Sequence, residues 1–107
     1  MNIESGILIK SKEQLKQFVE QEEPIILYFS SRDCNVCHAV FPKLMNIIDP
    51  QSVRVAKINI DEHLEIAGQL LVFAVPTILI FHEGKEILRE SRFIDFQKVE
   101  RTLTLLK

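Results

Sequence analysis

The stretch that decides the fold is Pro24-Ile25-Ile26-Leu27-Tyr28-Phe29-Ser30-Ser31-Arg32-Asp33-Cys34-Asn35-Val36-Cys37-His38. Five apolar residues, Ile25 to Phe29, follow one another without alternation. A strand with one wet face alternates; a strand buried on both faces does not. Ser30 to Asp33 is polar and reads as a loop. From Cys34 to about Ile48, Cys37, Val40, Phe41, Leu44, Met45 and Ile48 recur at three and four, a helical spacing. Pro42 falls inside this helix, where it removes one backbone donor and is expected to kink it.

Upstream, Gly6 to Lys10 reads as a short strand. Ser11 reads as an N-cap, with Gln14 completing a capping box. The helix that follows turns Leu15, Phe18 and Val19 to one side and should end near Glu22, because Pro24 disfavours helix at Glu23. Downstream, Val53 to Ile60 is a β-branched strand. Asp61 is expected to cap a short helix carrying Leu64, Ala67, Leu70 and Leu71. Val75-Pro76-Thr77 leads into the strand Ile78 to Phe81. Glu83-Gly84-Lys85 is a turn, and Glu86 to Glu90 a return strand. Asp95 is expected to cap a last helix with Phe96, Val99, Leu103 and Leu106 in one stripe. The order β-α-β-α-β-α-β-β-α predicts an α/β fold. Its central mixed sheet is mainly parallel, closes on an antiparallel C-terminal hairpin and is flanked by four helices.

The chain has 107 residues, 47% of them apolar, with 13 Lys+Arg against 15 Asp+Glu and a net charge of −2. That length predicts a single domain over residues 1–107. The near-neutral balance argues against nucleic acid or an anionic membrane as partner. No apolar run approaches the ~20 residues of a membrane span. Met1-Asn2-Ile3-Glu4-Ser5 lacks the basic start and hydrophobic run of a signal peptide, so the expected location is cytoplasmic.

Cys34 and Cys37 are the two cysteines. A cytosolic C-x-x-C pair suggests redox chemistry or half of a metal site. Zinc needs about four ligands, and His63 and His82 come from separate elements, so no metal is expected. The pair stands where a buried strand gives way to a helix. Free N–H groups and a partial positive charge at that helix start favour thiolate over thiol at Cys34. Cys37, one turn in, should face the sheet and be shielded. That asymmetry makes Cys34 the attacking sulfur and Cys37 the resolving one.

The spacing resembles the thioredoxin family over about Gly6 to Leu106. Three parts carry the resemblance: Tyr28 to Cys37 as strand and redox motif, Val55 to Asp61 as central strand, and Val75-Pro76-Thr77 with Phe81 and Gly84 as proline loop and hairpin. Pro42 stands at the family's helix kink. The resemblance implies a thiol–disulfide oxidoreductase that reduces protein or low-molecular-weight mixed disulfides. It needs no cofactor beyond a Cys34–Cys37 disulfide. It also implies a cis Val75–Pro76 bond that leaves the Val75 backbone free to pair with an extended substrate. The implied partners are disulfide-containing proteins or small thiols and a thioredoxin-reductase-like electron donor, with the protein acting as a monomer.

Departures from the family pattern mark a specialised member. Asp33 replaces the usual Trp before the first cysteine, and its carboxylate opposes the thiolate. Arg32 and His38 are candidates to offset it. Asn35-Val36 replaces Gly-Pro between the sulfurs. Tyr28 stands where the family carries a buried Asp, and a phenol with a pKa near ~10 is a poor base. Lys57 is then a candidate to help deprotonate Cys37, although a strand lysine more commonly snorkels to water. Arg92, a bulky cation, stands at a groove glycine, so target docking is expected to be narrower or biased to acidic partners. These departures motivate an alternative: a non-catalytic binding module built on the same fold. The Leu and Phe stripes are expected to be core, and His63 and His82 surface residues.

Overall fold

A computed structural model describes residues 6–106; residues 1–5, where no leader is expected, and residue 107 lie outside the described part. Its elements in chain order are β1 (Ile7–Leu8), α1 (Lys12–Val19), β2 (Ile25–Ser30), α2 (Asn35–Ile47), β3 (Arg54–Asn59), α3 (Leu64–Gln69), β4 (Thr77–His82), β5 (Lys85–Ser91) and α4 (Phe96–Leu105). The strands form one sheet in the order β1-β3-β2-β4-β5. β3 runs parallel to both β1 and β2, and β4 runs antiparallel to both β2 and β5. The fold is thioredoxin-like, a mixed sheet with helices on both faces.

The unbroken apolar run of β2 has its explanation in the two cores. Ile25, Leu27 and Phe29 join Leu15 and Phe18 of α1 and Ile66 and Ala67 of α3 on one face. Ile26 and Tyr28 join Phe41 and Leu44 of α2 and Val99 and Leu103 of α4 on the other. Successive side chains of a strand point to opposite faces, so a strand covered on both must be apolar at every position. β2 sits in the middle of the sheet, which makes its C-terminal end a fixed platform for the loop that follows.

Several local expectations shift. The Ser11 hydroxyl accepts the Gln14 N–H, but the Gln14 side chain reaches back to the N–H of Lys10 rather than that of Ser11. α1 ends at Val19, short of Glu22. Asp61 does not cap α3. The Asn59 side chain takes the Asp61 N–H at 2.8 Å, and the Asn59 carbonyl takes those of Glu62 and His63. This turn delays the helix to Leu64, with His63 as its N-cap and no side-chain capping bond. Leu70 and Leu71 then fall beyond the helix. Leu71 has φ +57°, and it is exposed with Leu64 instead of joining the core. Asp95 does cap α4, accepting from Lys98 N–H at 3.1 Å.

Candidate active site

β2 delivers the chain into α2 at Cys34, and the cysteine itself caps the helix. Its backbone is extended, and its Sγ accepts the N–H of Cys37 at 3.1 Å. A serine or aspartate oxygen ordinarily takes this place. One of the free N–H donors in the first turn of a thirteen-residue helix therefore points at the sulfur. That donor and the helix dipole stabilise negative charge on it once the pair is reduced. Cys34 and Cys37 form a disulfide, with Cα atoms 5.2 Å apart. Cys34 is half-buried, whereas Cys37 is 1% exposed.

Tyr28 lies beneath the pair. Its hydroxyl donates to the Cys37 carbonyl at 2.5 Å, and its ring packs against Phe41 with centroids 5.1 Å apart. Burial raises the phenol above its ordinary pKa, so Tyr28 is a neutral donor at neutral pH. Lys57 pairs with Tyr28 across the parallel β2–β3 ladder. Its Nζ lies 4.3 Å from the Phe41 ring centre, a cation–π placement, with no hydrogen bond to the Cys37 sulfur.

The polar loop before Cys34 is tied down on both sides. Cys34 N–H donates to the Ser31 carbonyl at 3.3 Å, and the Arg32 N–H reaches Asp61 Oδ2 at 3.4 Å. The His38 Nε2 sits 3.0 Å from the Arg32 carbonyl, so the ring is turned to the loop and makes no hydrogen bond to Cys34 Sγ. Asp33 is exposed beside the pair.

Pro76 reaches the site through sheet register. Thr77 pairs with Phe29, which puts Pro76 level with Ser30, where β2 gives way to the loop carrying Cys34. The Val75–Pro76 bond is cis. The buried Thr77 hydroxyl holds this turn by donating to the Ala74 carbonyl at 2.7 Å. On the other side, Thr77 pairs with Ser91, and the Arg92 N–H donates to the Pro76 carbonyl at 2.7 Å. Arg92 has φ +67°, a backbone region that favours glycine. The structure thus brings Cys34, Cys37, Tyr28, Val75, Pro76 and Arg92 to one end of the sheet. His63 and His82 are half-buried at the start of α3 and the end of β4. Among the described residues, no group of three or more His, Cys, Asp or Glu side chains could hold a metal ion.

Three features were not foreseen. Phe73 and Phe93 are not core; they stand 80% and 90% exposed, next to the Pro76 loop and to Arg92. Neither falls on a helical stripe, and that was the available signal. Arg89 of β5 clasps the chain leading to Pro76. Its guanidinium donates to the carbonyls of Leu70 at 2.7 Å and Leu71 at 2.9 Å, while Glu86 holds it from the opposite side.

Comparison with known proteins agrees with this geometry. The family model described as thioredoxin matches residues 6–103. The chain is 39% identical over 90 residues to the thioredoxin-like protein YdfQ of Bacillus subtilis, covering 83% of this chain and 80% of that one. It is 30% identical over 92 residues to the thioredoxin of Mycoplasma pneumoniae, covering 85% and 90%. Among solved structures, thioredoxin from Malassezia sympodialis superposes with a TM-score of 0.82 at 26% identity, covering 94% of this chain and 90% of that one. The matched segment contains the disulfide pair, the helix it caps and the proline turn, and the chain belongs to the thioredoxin family.

Proposed function

We propose that this protein reduces disulfides of proteins or of small thiols, with Cys34 attacking and Cys37 resolving. The observation that supports the assignment is the difference between the sulfurs. Cys34 is half-buried at a helix N-cap and accepts a backbone N–H, whereas Cys37 is buried one turn in. The Cys34 thiolate attacks one sulfur of RS–SR′, forming Cys34–S–SR and expelling R′S⁻. Cys37 loses its proton and attacks the Cys34 sulfur, which expels RS⁻ and closes the Cys34–Cys37 disulfide. Two electrons leave the dithiol and reduce the external disulfide; the two thiol protons end on the two leaving thiolates.

The proton of Cys37 does not go to Tyr28, whose phenol keeps its own. Water is the proposed acceptor, because Lys57 stands over the Phe41 ring as a cation and has no lone pair to offer. The Val75 backbone, beside the Pro76 turn, is proposed to pair with an extended substrate segment as a single added rung. Both sulfurs and the proline come from one chain, which supports action as a monomer. A reductase of the thioredoxin-reductase kind is the proposed electron donor. The cytoplasm is the proposed location, because both cysteines are committed to the pair and none is left for a structural bridge.

Insulin reduction with dithiothreitol as electron source tests this reading. The native protein accelerates the reaction, Cys34→Ser abolishes the acceleration, and Cys37→Ser accumulates a mixed disulfide on Cys34. No acceleration by the native protein, or full activity in Cys34→Ser, overturns it.

A further inference from the structure

A cleft of about 240 Å³ opens beside the redox loop, and its lining includes Ser30, Ser31, Arg32, His38, Lys57 and Asn59. It lies where β2 ends at Ser30 and the loop begins at Ser31, two small side chains among the larger Arg32 and Lys57. Backbone bonds fix its walls: Ser30 pairs with Asn59, and the Ile60 N–H donates to the Ser30 carbonyl at 2.9 Å. No carboxylate lines it. Two acids stand outside the lining: Asp61, which accepts the Arg32 N–H from the exposed loop after β3, and the exposed Asp33, which follows Arg32 in the chain. Neither the Arg32 guanidinium nor the Lys57 ammonium has an ion-pair partner among the described residues. Serine hydroxyls, an amide and two cations around an acid-free cleft make a site for an anion that also accepts hydrogen bonds.

The position of the cleft gives it a use. Arg32 is two residues before Cys34, the Ser31 carbonyl accepts the Cys34 N–H, and the His38 N–H donates to the Cys34 carbonyl at 3.3 Å. We propose that the cleft holds a carboxylate of a small thiol, so that the preferred substrate of the Cys34–Cys37 pair is a low-molecular-weight disulfide bearing carboxylates. This inference rests on the redox reading above and narrows its substrate. The reaction is the exchange already written, with R and R′ small and anionic; the carboxylate sits among Arg32, Lys57 and the serines while its sulfur meets Cys34.

The test compares two disulfides as oxidants of the reduced protein: glutathione disulfide, which carries carboxylates, and hydroxyethyl disulfide, which carries none. The readout is the ratio of their rates, because a change in the nucleophilicity of Cys34 moves both rates together. In Arg32→Gln/Lys57→Gln the ratio falls about tenfold, and high salt lowers it in the native protein. In parallel, the oxidised protein is titrated with S-methylglutathione, which cannot exchange. Saturable amide shifts at Ser30, Ser31 and Asn59 that vanish in Arg32→Gln support the cleft. An unchanged ratio, or no shifts up to about 10 mM, overturns it. Failure of both disulfides to oxidise the protein counts against the redox reading, and the titration then decides the cleft by itself.

Discussion

The Tyr28 hydroxyl donates a 2.5 Å hydrogen bond to the carbonyl of Cys37, joining the middle strand of the sheet to the first turn of the redox helix. The phenol, a poor base kept protonated by burial, is a structural donor. It holds the backbone of Cys37 rather than its sulfur.

Tyr28→Phe removes this bond and is expected to cost about 1 kcal/mol, read from the chemical denaturation midpoint. The pH profile of the resolving step should not move, since the phenol takes no proton there. The chain has a single tyrosine, so tyrosinate absorbance reports Tyr28 alone. Burial raises its folded pKa above the unfolded value of about 10, so the folded protein titrates only above that value. The sign follows. Unfolded chains lose this proton first as pH rises, so stability falls above about pH 10. Tyr28→Phe removes that part of the slope.

Asp33 carries an exposed carboxylate and directly precedes Cys34, the proposed nucleophile, in the chain. Asp33→Asn removes a charge that opposes the thiolate and is expected to speed alkylation of Cys34 at neutral pH by about two- to fivefold. The gain should shrink as salt is raised. No change at low salt would remove Asp33 from the account of reactivity.

Arg89 fastens the carbonyls of Leu70 and Leu71 to β5 and is gripped by Glu86. Lysine keeps the charge but cannot reproduce the fork. Arg89→Lys is expected to cost about 1–2 kcal/mol, roughly 5–10 °C in Tm. It should also slow disulfide reduction, because the chain from Leu71 to Pro76 loses its anchor. Hydrogen bonds from Arg89 hold the Glu86 carboxyl below the usual carboxylate range. That contribution is present above the carboxylate range and is lost as pH falls through it, so Glu86→Gln should flatten the acid side of the stability curve.

Much of this was legible in the chain. The apolar run Ile25 to Phe29 announced a strand buried on both faces, and the spacing after Cys34 announced the helix that it caps. What escaped has physical causes. Asp61 looks like an N-cap by residue type, but the Asn59 side chain captures its N–H and bends the chain first. Apolar counting placed Leu71 in a helix stripe, while its positive φ ends the stripe and turns it outward. Arg89 bonds to backbone carbonyls 18 and 19 positions away, and no side-chain pattern encodes such a bond. The cleft depends on Ser30 pairing with Asn59 across β2 and β3, with Lys57 two residues before Asn59 on the same face, which only the register supplies.

The central claim is that the two sulfurs differ in kind, one an available nucleophile at a helix start and the other a buried resolver. Limiting iodoacetamide on the reduced protein near neutral pH, followed by peptide mass spectrometry, tests it most directly. The account predicts that Cys34 is labelled at least about tenfold faster than Cys37. Equal labelling, faster labelling of Cys37, or an inert Cys34 would contradict it.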